Sequence, residues 1–174
     1  VLDNAVIQGP AYIGKNTVIA TNTLVRQSHI GENCVIGFGS EVARSYVGDN
    51  VWTHTNYIGD SIIGSDVSFG AGTVTGNLRL DEKSVKVKIS KTWNGKSEEA
   101  AIDSGLTKLG LITGDHIRVG INTSFMPGVK IGSNSFVGAG IVVAQDIPEG
   151  SFARGKWELN VSQNHEKISP RKSL

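Results

Sequence analysis

This sequence has almost no excess of charge of one sign, one cysteine, few aromatic residues and no long apolar runs. Lys and Arg number 17 and Asp and Glu number 16, so the formal net charge of the 174 residues is +1. A chain without a block of like charge has no electrostatic footprint for nucleic acid or an anionic membrane. The longest apolar runs, such as Ile141 to Ala144, are too short to cross a bilayer, and no signal-peptide pattern opens the chain. We therefore expect no nucleic-acid partner, no membrane partner and a cytoplasmic location.

The single cysteine, Cys34, has no second thiol with which to form a disulfide or a thiolate metal site. This is typical of proteins in a reducing compartment. The sequence begins at Val1 and its only methionine is Met126, which indicates one domain of a longer protein.

Glycine, by contrast, is plentiful, with 22 residues, and it marks an internal repeat. Apolar residues recur at a step of six, occasionally five, and a glycine often follows them. They include Ile13, Ile19, Val25, Ile30, Ile36 and Val42, and later Val119, Phe125, Ile131, Val137 and Val143. Four places after many of them stands a small or β-branched residue, as at Thr17, Thr23, Cys34, Ser40, Val67, Thr73, Thr123, Val129 and Ser135.

A six-residue step favours short strands, because a helix would need apolar spacings of three and four. The first and fifth residues of each repeat point to the same side, and the residues between them can turn a corner. The repeat therefore predicts an all-β prism of short parallel strands, filled by stacked aliphatic and small side chains, with glycine at its corners. Cys34 occupies one of the small inward slots, so we interpret it as a packing residue and not as a catalytic thiol.

The repeat stops after Asn77 and resumes near Thr113. Between them, alternating apolar residues and a turn dipeptide predict a projecting hairpin within an inserted arm at residues 78–112. The residues that carry this pattern are Val85, Val87, Ile89, Trp93, Asn94 and Gly95. We expect the prism to span residues 1–147 and a tail at 148–174 to pack outside it. The tail carries Arg154, Lys156, Trp157, Lys167, Arg171 and Lys172.

The hexapeptide pattern resembles the left-handed parallel β-helix of acyltransferases, an exception to the rule of right-handed crossovers. A more specific match lies between His54 and Lys86. It comprises His54-Thr55-Asn56-Tyr57-Ile58-Gly59-Asp60, Phe69-Gly70-Ala71-Gly72-Thr73, and then Asn77, Arg79, Asp81, Lys83 and Lys86. This series is similar to the acetyltransferase domain of bifunctional N-acetylglucosamine-1-phosphate uridylyltransferase/glucosamine-1-phosphate acetyltransferases. The archaeal sugar-1-phosphate nucleotidylyltransferase branch shares the long hairpin insertion and the Lys108-Leu109-Gly110 segment.

The resemblance implies transfer of an acetyl group from acetyl-CoA to the 2-amino group of glucosamine 1-phosphate. The product would be the N-acetyl sugar 1-phosphate used in UDP-sugar synthesis. His54 matches the general base of the family. A histidine of ordinary acidity is largely neutral at physiological pH and can accept the proton that the attacking amine loses. The alternative is a surface or capping histidine.

The resemblance also implies five substrate-binding residues: Arg26, Tyr57, Asn77, Lys83 and Lys86. At the matching positions the family places a tyrosine on the phosphosugar and an asparagine beside the sugar amine. It places lysines and an arginine near the sugar phosphate. The alternatives are a structural cap for the tyrosine, an ordinary turn residue for the asparagine and a solvated hairpin face for the lysines.

Two positions depart from the bacterial members of the family. Ser68 stands where they have a second sugar-binding asparagine, and Arg44 is the basic residue nearest to a lysine that they place before the histidine. The choice between a gluco and a galacto sugar, and with it activity on galactosamine 1-phosphate, is therefore open.

For the co-substrate acetyl-CoA, the resemblance implies contacts with the backbone of Ala71, Ile121 and Ala139, where fixed N–H groups are good donors to a developing oxyanion. Arg154 and Lys156 are candidates for the nucleotide phosphates, and a solubilising tail is the alternative. The acetyl transfer so described requires no metal.

Two other functions occur on such prisms. A zinc site of the carbonic anhydrase type needs three converging histidines, and His29, His54, His116 and His165 include no close pair in sequence. A non-catalytic oligomerising or regulatory domain of a nucleotidyltransferase would lack the catalytic histidine. The family assembles as trimers with sites between subunits, so the resemblance implies a homotrimer and a covalently attached N-terminal nucleotidyltransferase domain.

Overall fold

The fold was analysed in a computed structural model, which describes residues 1–93, 96–156 and 158–165. Six residues named above therefore lie outside the described residues: Asn94, Gly95, Trp157, Lys167, Arg171 and Lys172. Strands are the only regular secondary structure among the described residues. These residues contain no helix that could span a membrane.

Short parallel strands form three faces of a prism, which we call sheets A, B and C. Sheet A contains β1 (Val6–Gln8), β4 (Leu24–Arg26), β7 (Glu41–Ala43), β9 (Tyr57–Gly59), β12 (Val74–Thr75), β17 (Ser124–Phe125) and β20 (Val142–Val143). Sheet B contains β2 (Tyr12–Ile13), β5 (His29–Ile30), β8 (Tyr46–Val47), β10 (Ile62–Ile63), β15 (Ile112–Thr113) and β18 (Lys130–Ile131). Sheet C contains β3 (Val18–Ile19), β6 (Val35–Ile36), β11 (Val67–Phe69), β16 (Ile117–Val119), β19 (Phe136–Val137) and β21 (Phe152–Ala153), and single bridges through Trp52 join its two parts.

The chain visits sheets A, B and C in turn, so each circuit adds one coil to the prism. The inward apolar positions of the repeat form one continuous core, in which Ile19, Val25, Ile30 and Phe125 are almost fully buried. Full burial of such a side chain contributes roughly 1.5–3 kcal/mol, so stacked aliphatic residues supply the stability that few aromatics could. This confirms the predicted parallel β-helix of hexapeptide repeats.

Small polar residues form further inward ladders. Cys34 is fully buried, as predicted, and its thiol contacts the Gly48 carbonyl oxygen at 3.2 Å. Burial raises the pKa of this thiol. Thr23, Ser40 and other small residues donate in the same way to a carbonyl of the next coil.

The corners contain single residues in the left-handed conformation, which asparagine and aspartate tolerate better than most other side chains. Along the corner between sheets B and C these residues have φ between 54° and 59°: Asn16, Asn33, Asn50, Asp66, His116 and Asn134. Glycine is thus only one of the corner residues, alongside a ladder of asparagines.

The predicted hairpin is present as β13 (Lys86–Trp93) paired antiparallel with β14 (Lys96–Asp103). It leaves the prism at the corner between sheets A and B, after β12, and the chain returns at Leu111, which is fully buried. The amine of Lys130 donates to the carbonyl of Lys88 and to Asp146, which ties the arm to the prism.

The parallel ladder continues beyond residue 147, where we expected the prism to end. Phe136 pairs with Phe152, and Val137 pairs with Ala153. The start of the expected tail is therefore a strand of sheet C, because residues 152–153 complete the ladder that β19 would otherwise leave open.

Candidate active site

Four of the candidate residues lie on successive coils of the C–A corner, the edge between sheets C and A. His54 lies two places after the bridge residue Trp52, level with Gly70. Ala71, Ile121 and Ala139 lie one place further along their coils, level with Thr55. Backbone hydrogen bonds join these coils, from Asn122 N–H to the Ala71 carbonyl and from Gly140 N–H to the Ile121 carbonyl. Since adjacent strands lie about 4.8 Å apart, Ala139 is about 14 Å along the edge from His54. The four predicted residues therefore lie along one edge of the prism.

Arg154 extends the same edge by one coil. It follows β21, and its guanidinium lies 5.5 Å from the centroid of the Phe152 ring, within range of a cation–π contact. Together with Ile141 and Val142 these residues border an open depression of about 520 Å³ at the end of the prism. Four coil steps of about 4.8 Å place Arg154 about 19 Å from His54.

The backbone that carries His54 is held by Asn56, a residue that sequence reasoning did not select. Asn56 is 5% exposed, and its Oδ1 accepts a 2.7 Å hydrogen bond from the His54 N–H. Its Nδ2 donates to the carbonyls of Gly70 and Thr73. The His54 side chain itself is exposed, and its imidazole has no hydrogen-bond partner among the described residues. This ring is therefore free to accept a proton from a ligand.

A second group lies on the A–B corner, the edge between sheets A and B. Nδ2 of Asn77 donates to the Tyr57 hydroxyl at 3.1 Å and to Oδ2 of Asp60 at 2.5 Å. Arg44 donates to both oxygens of Asp60, from Nε and Nη2, at 2.7 Å each. The structure thus joins two predicted site residues to Arg44, the position where the sequence departs from the bacterial pattern, and to Asp60.

The carboxyl of Asp60 has a pKa below its ordinary value. Burial alone would raise this pKa, but the hydrogen bonds from Arg44 and Asn77 and the charges of Arg44 and Lys108 outweigh it. Asp60 is therefore ionised at neutral pH. The pKa of Arg44 is raised, first by its hydrogen bonds to Asp60.

Gly59 makes the contact between Tyr57 and Asn77 possible. A Cβ at this position would lie 2.5 Å from the Tyr57 hydroxyl oxygen and 2.8 Å from Nδ2 of Asn77. No real Cβ approaches other atoms so closely, so the aromatic ring can lie across β9 only because the strand ends in glycine.

The remaining predicted phosphate ligands lie in two separate places. Arg26 ends β4, three strands from β12 in sheet A, and forms an ion pair with Glu41 at 2.5 Å. Lys83 and Lys86 border a depression of about 430 Å³ at the base of the arm. Arg79 lines the same depression, as do the acidic Asp81 and Asp103. Within one chain, the structure does not bring Arg26 together with the two lysines.

The four histidines occupy separate places. His29 lies on sheet B, stacked between two tyrosine rings, and His116 lies on the B–C corner with Nδ1 2.8 Å from Asp66. His165 is in the tail. Among the described residues, no group of three or more His, Cys, Asp or Glu side chains could hold a metal ion. Ser68 lies on β11 of sheet C and borders a depression with Trp52.

Comparison with known sequences finds relatives that are described as bifunctional proteins. The sequence model described as the hexapeptide repeat of succinyl-transferase matches residues 110–145. The bifunctional protein GlmU of Methanocaldococcus jannaschii is 42% identical over 152 residues, which is 87% of this chain and 33% of that protein. The bifunctional sugar-1-phosphate nucleotidylyltransferase/acetyltransferase of Sulfurisphaera tokodaii is 48% identical over 99 residues, 57% of this chain and 23% of that protein. The chain spans 25% to 34% of the length of the first curated relatives it matches.

Among solved structures, AntD, an N-acyltransferase from Bacillus cereus in complex with dTDP and 3-hydroxybutyryl-CoA, has a TM-score of 0.57. The match covers 86% of this chain and 77% of AntD at 15% sequence identity. This likeness concerns the fold.

Proposed function

We propose that this chain transfers an acetyl group from acetyl-CoA to glucosamine 1-phosphate. Its similarity to GlmU of Methanocaldococcus jannaschii and to the bifunctional sugar-1-phosphate nucleotidylyltransferase/acetyltransferase of Sulfurisphaera tokodaii supports this proposal. The acceptor is the 2-amino group of the sugar, and the product is the N-acetyl sugar 1-phosphate. Galactosamine 1-phosphate is a second candidate acceptor, because the sequence departs from the bacterial pattern at Ser68 and Arg44.

One observation carries the proposal. The edges of a single sheet, sheet A, hold a free imidazole on one side and a hydrogen-bonded tyrosine–asparagine pair on the other. His54 lies on the C–A corner, before β9, and Asn77 lies on the A–B corner, after β12, with Tyr57 between them on β9. A proton acceptor and two polar groups for a sugar are what amine acylation on a phosphosugar requires.

The chemistry is a balanced acyl transfer. The sugar nitrogen forms a bond to the thioester carbon, the carbon–sulfur bond breaks, and the thiol of CoA leaves. The imidazole of His54 takes the proton that the nitrogen gives up. Asn56 holds the His54 backbone in place through its 2.7 Å hydrogen bond and so limits the movement of the base.

The C–A corner suits the thioester and its extended arm. Ala71, Ile121 and Ala139 present small side chains or backbone on consecutive coils of this corner, one place further along the chain than the level of His54. Arg154 stands at the far end of this line, where its guanidinium can neutralise nucleotide phosphates. The alignment of all five residues along one edge supports a CoA track, and we assign Arg154 to its phosphate end.

The phosphate of the sugar requires positive charge. Arg26, Lys83 and Lys86 are the proposed ligands, although one chain keeps Arg26 apart from the lysines. A neighbouring subunit that brings its arm to this sheet would unite them. Trp52, Phe136 and Phe152 on sheet C are 57% to 62% exposed, and burial of such side chains favours association. We therefore propose a homotrimer with shared sites, which sedimentation velocity would refute by finding a monomer.

The proposed base is tested by His54→Ala, with thiol release from acetyl-CoA followed in the presence of glucosamine 1-phosphate. General-base catalysis contributes about 100-fold or more, so kcat should fall by at least that factor. The matched control is His116→Asn, because asparagine occupies the same left-handed corner in neighbouring coils, at Asn50 and Asn134. Near-normal turnover by His54→Ala would remove the assignment. Parallel assays with galactosamine 1-phosphate decide the acceptor, and no turnover by the unaltered chain with either sugar would favour a non-catalytic oligomerising domain.

A further inference from the structure

The amide of Asn77 can face its neighbours in only one of two orientations. Ionised Asp60 has only acceptor oxygens, so the group that Asn77 turns toward it must be the donor, Nδ2. The reverse orientation would bring two oxygens within hydrogen-bond distance without a proton between them. The carboxylate of Asp60 therefore fixes the orientation of the Asn77 amide, with Oδ1 pointing away from Asp60.

Both hydrogens of that amide nitrogen are used. One goes to Oδ2 of Asp60, and the other goes to the Tyr57 hydroxyl oxygen at 3.1 Å. No described residue donates to Oδ1 of Asn77, and Asn77 is only partly buried. Asn77 consequently presents a hydrogen-bond acceptor, and no donor, to a ligand.

The hydroxyl of Tyr57 is fixed in the same way. Its oxygen accepts from Asn77 and also interacts with the guanidinium of Arg44, which can only donate. The single proton of the hydroxyl therefore points elsewhere, and no described residue accepts it. Tyr57 therefore offers a donor next to the acceptor of Asn77. The pair therefore matches a ligand in which an N–H group, facing Asn77, lies beside an acceptor oxygen, facing Tyr57.

We propose that Asp60 is a positioning residue, which fixes the amide of Asn77 so that its acceptor oxygen meets the N–H groups of a ligand amine. A hydroxyl group at the same place both donates and accepts, so it would tolerate either orientation of the amide. This inference rests on the proposed function in that the amine is the acceptor nitrogen of an amino-sugar 1-phosphate. Arg44 takes part by holding both oxygens of Asp60 at 2.7 Å. Asp60 acts on the ligand only through Asn77.

The substitution Asp60→Asn removes the carboxylate that requires Nδ2 of Asn77 to face it, while it keeps the shape of the side chain. An amide at this position can donate as well as accept, so Asn77 can turn round and present Nδ2 to the ligand. The fold should survive, because Asp60 has φ 49° and asparagines adopt the same left-handed conformation at another corner of the prism, as at Asn50.

A matched control is available at Asp66. It is also a left-handed corner residue, with φ 54°, and it also pairs with an arginine, Arg118. It lies on the B–C corner, away from Tyr57 and Asn77. Asp66→Asn therefore makes the same chemical change without touching the proposed site.

The test measures binding, by titration calorimetry on the full chain, of glucosamine 1-phosphate and glucose 1-phosphate, which differ by amine against hydroxyl. The readout is the ratio of the two dissociation constants. In Asp60→Asn the preference for the amine should fall about tenfold, because the ligand amine loses its acceptor, whereas the hydroxyl of glucose 1-phosphate can accept from Nδ2 instead. Asp66→Asn should keep the unaltered ratio. A general structural defect would weaken both sugars alike.

Equal discrimination in Asp60→Asn and Asp66→Asn would overturn the role of Asp60 and leave the proposed acetyl transfer standing. Amine-selective binding that Asp60→Asn abolishes, in a chain that releases no thiol from acetyl-CoA, would support the role of Asp60 and refute the proposed function. Failure of the unaltered chain to bind either sugar phosphate would overturn both.

Discussion

Replacement of Asn56 by threonine is expected to release the backbone of His54 while preserving the inward ladder to which Asn56 belongs. Threonine stands at the corresponding place in other coils, where Thr73 donates to the Gly120 carbonyl and Thr123 to the Gly138 carbonyl. Threonine at position 56 can likewise donate to Gly70. It cannot reach the His54 N–H or the Thr73 carbonyl as the longer amide does.

The expected loss follows from counting bonds. Asn56 makes three side-chain hydrogen bonds, at 2.7, 2.8 and 3.1 Å, and Asn56→Thr keeps one of them. At about 1 kcal/mol for each net hydrogen bond, the free energy of unfolding should fall by ~2 kcal/mol. If the proposed function holds, kcat should fall about tenfold, because an unpinned base spends less time in a reactive position.

Urea denaturation gives the free energy, and thiol release from acetyl-CoA gives kcat. Thr73→Ser is the control, because it keeps its bond to Gly120 and loses only a methyl group. Stability within about 0.5 kcal/mol of the unaltered chain, together with unchanged kcat, would refute the assignment of Asn56 as the support of this corner.

Three further outcomes are expected. Gly59→Ala should raise the KM for the sugar phosphate about tenfold by displacing the Tyr57 ring, and this effect should shrink in a Tyr57→Phe background; additive effects would contradict the mechanism. The pKa of Asp60 is lower in the folded chain than its ordinary value of 3.8, so its carboxylate stabilises the fold fully above pH 3.8. Below that pH, the stability difference between the unaltered chain and Asp60→Asn should shrink, and it should disappear as the pH falls through the lowered pKa. Acid titrations followed by circular dichroism measure this difference. Cys34 should react with Ellman's reagent only in denaturant, because its thiol is buried with a raised pKa; rapid labelling of the native chain would contradict this.

The core and the arm could be predicted from the sequence. Ile19, Val25 and Ile30 point inward because the direction of a side chain along a strand depends on local alternation, which a step of six preserves. The hairpin could be predicted for the same reason. The end of the prism could not, since the pairing of Phe152 with Phe136 depends on an open edge in sheet C and not on the local sequence.

The candidate site was predictable only in part. Resemblance to a family predicted His54, Tyr57 and Asn77 as site residues. Their relative positions in space could not be predicted from the sequence. Asn56 and Asp60 belong to the matched series but were not predicted as site residues, because an asparagine and an aspartate near glycine are ordinary corner residues. Asn56 does carry one signal in the sequence, since it stands in the small inward ladder where other coils have serine or threonine.

The sequence by itself determined which side chains face the core, because that depends on a periodicity that each short segment carries. Only the tertiary structure decided which outward side chains meet. Tyr57 and Asn77 are twenty residues apart, and Arg44 and Asp60 are sixteen apart, yet each pair is in contact because coils stack at a fixed spacing. Contacts of this kind depend on the number of residues in every intervening coil and on donor and acceptor positions at the corner, which no local pattern records.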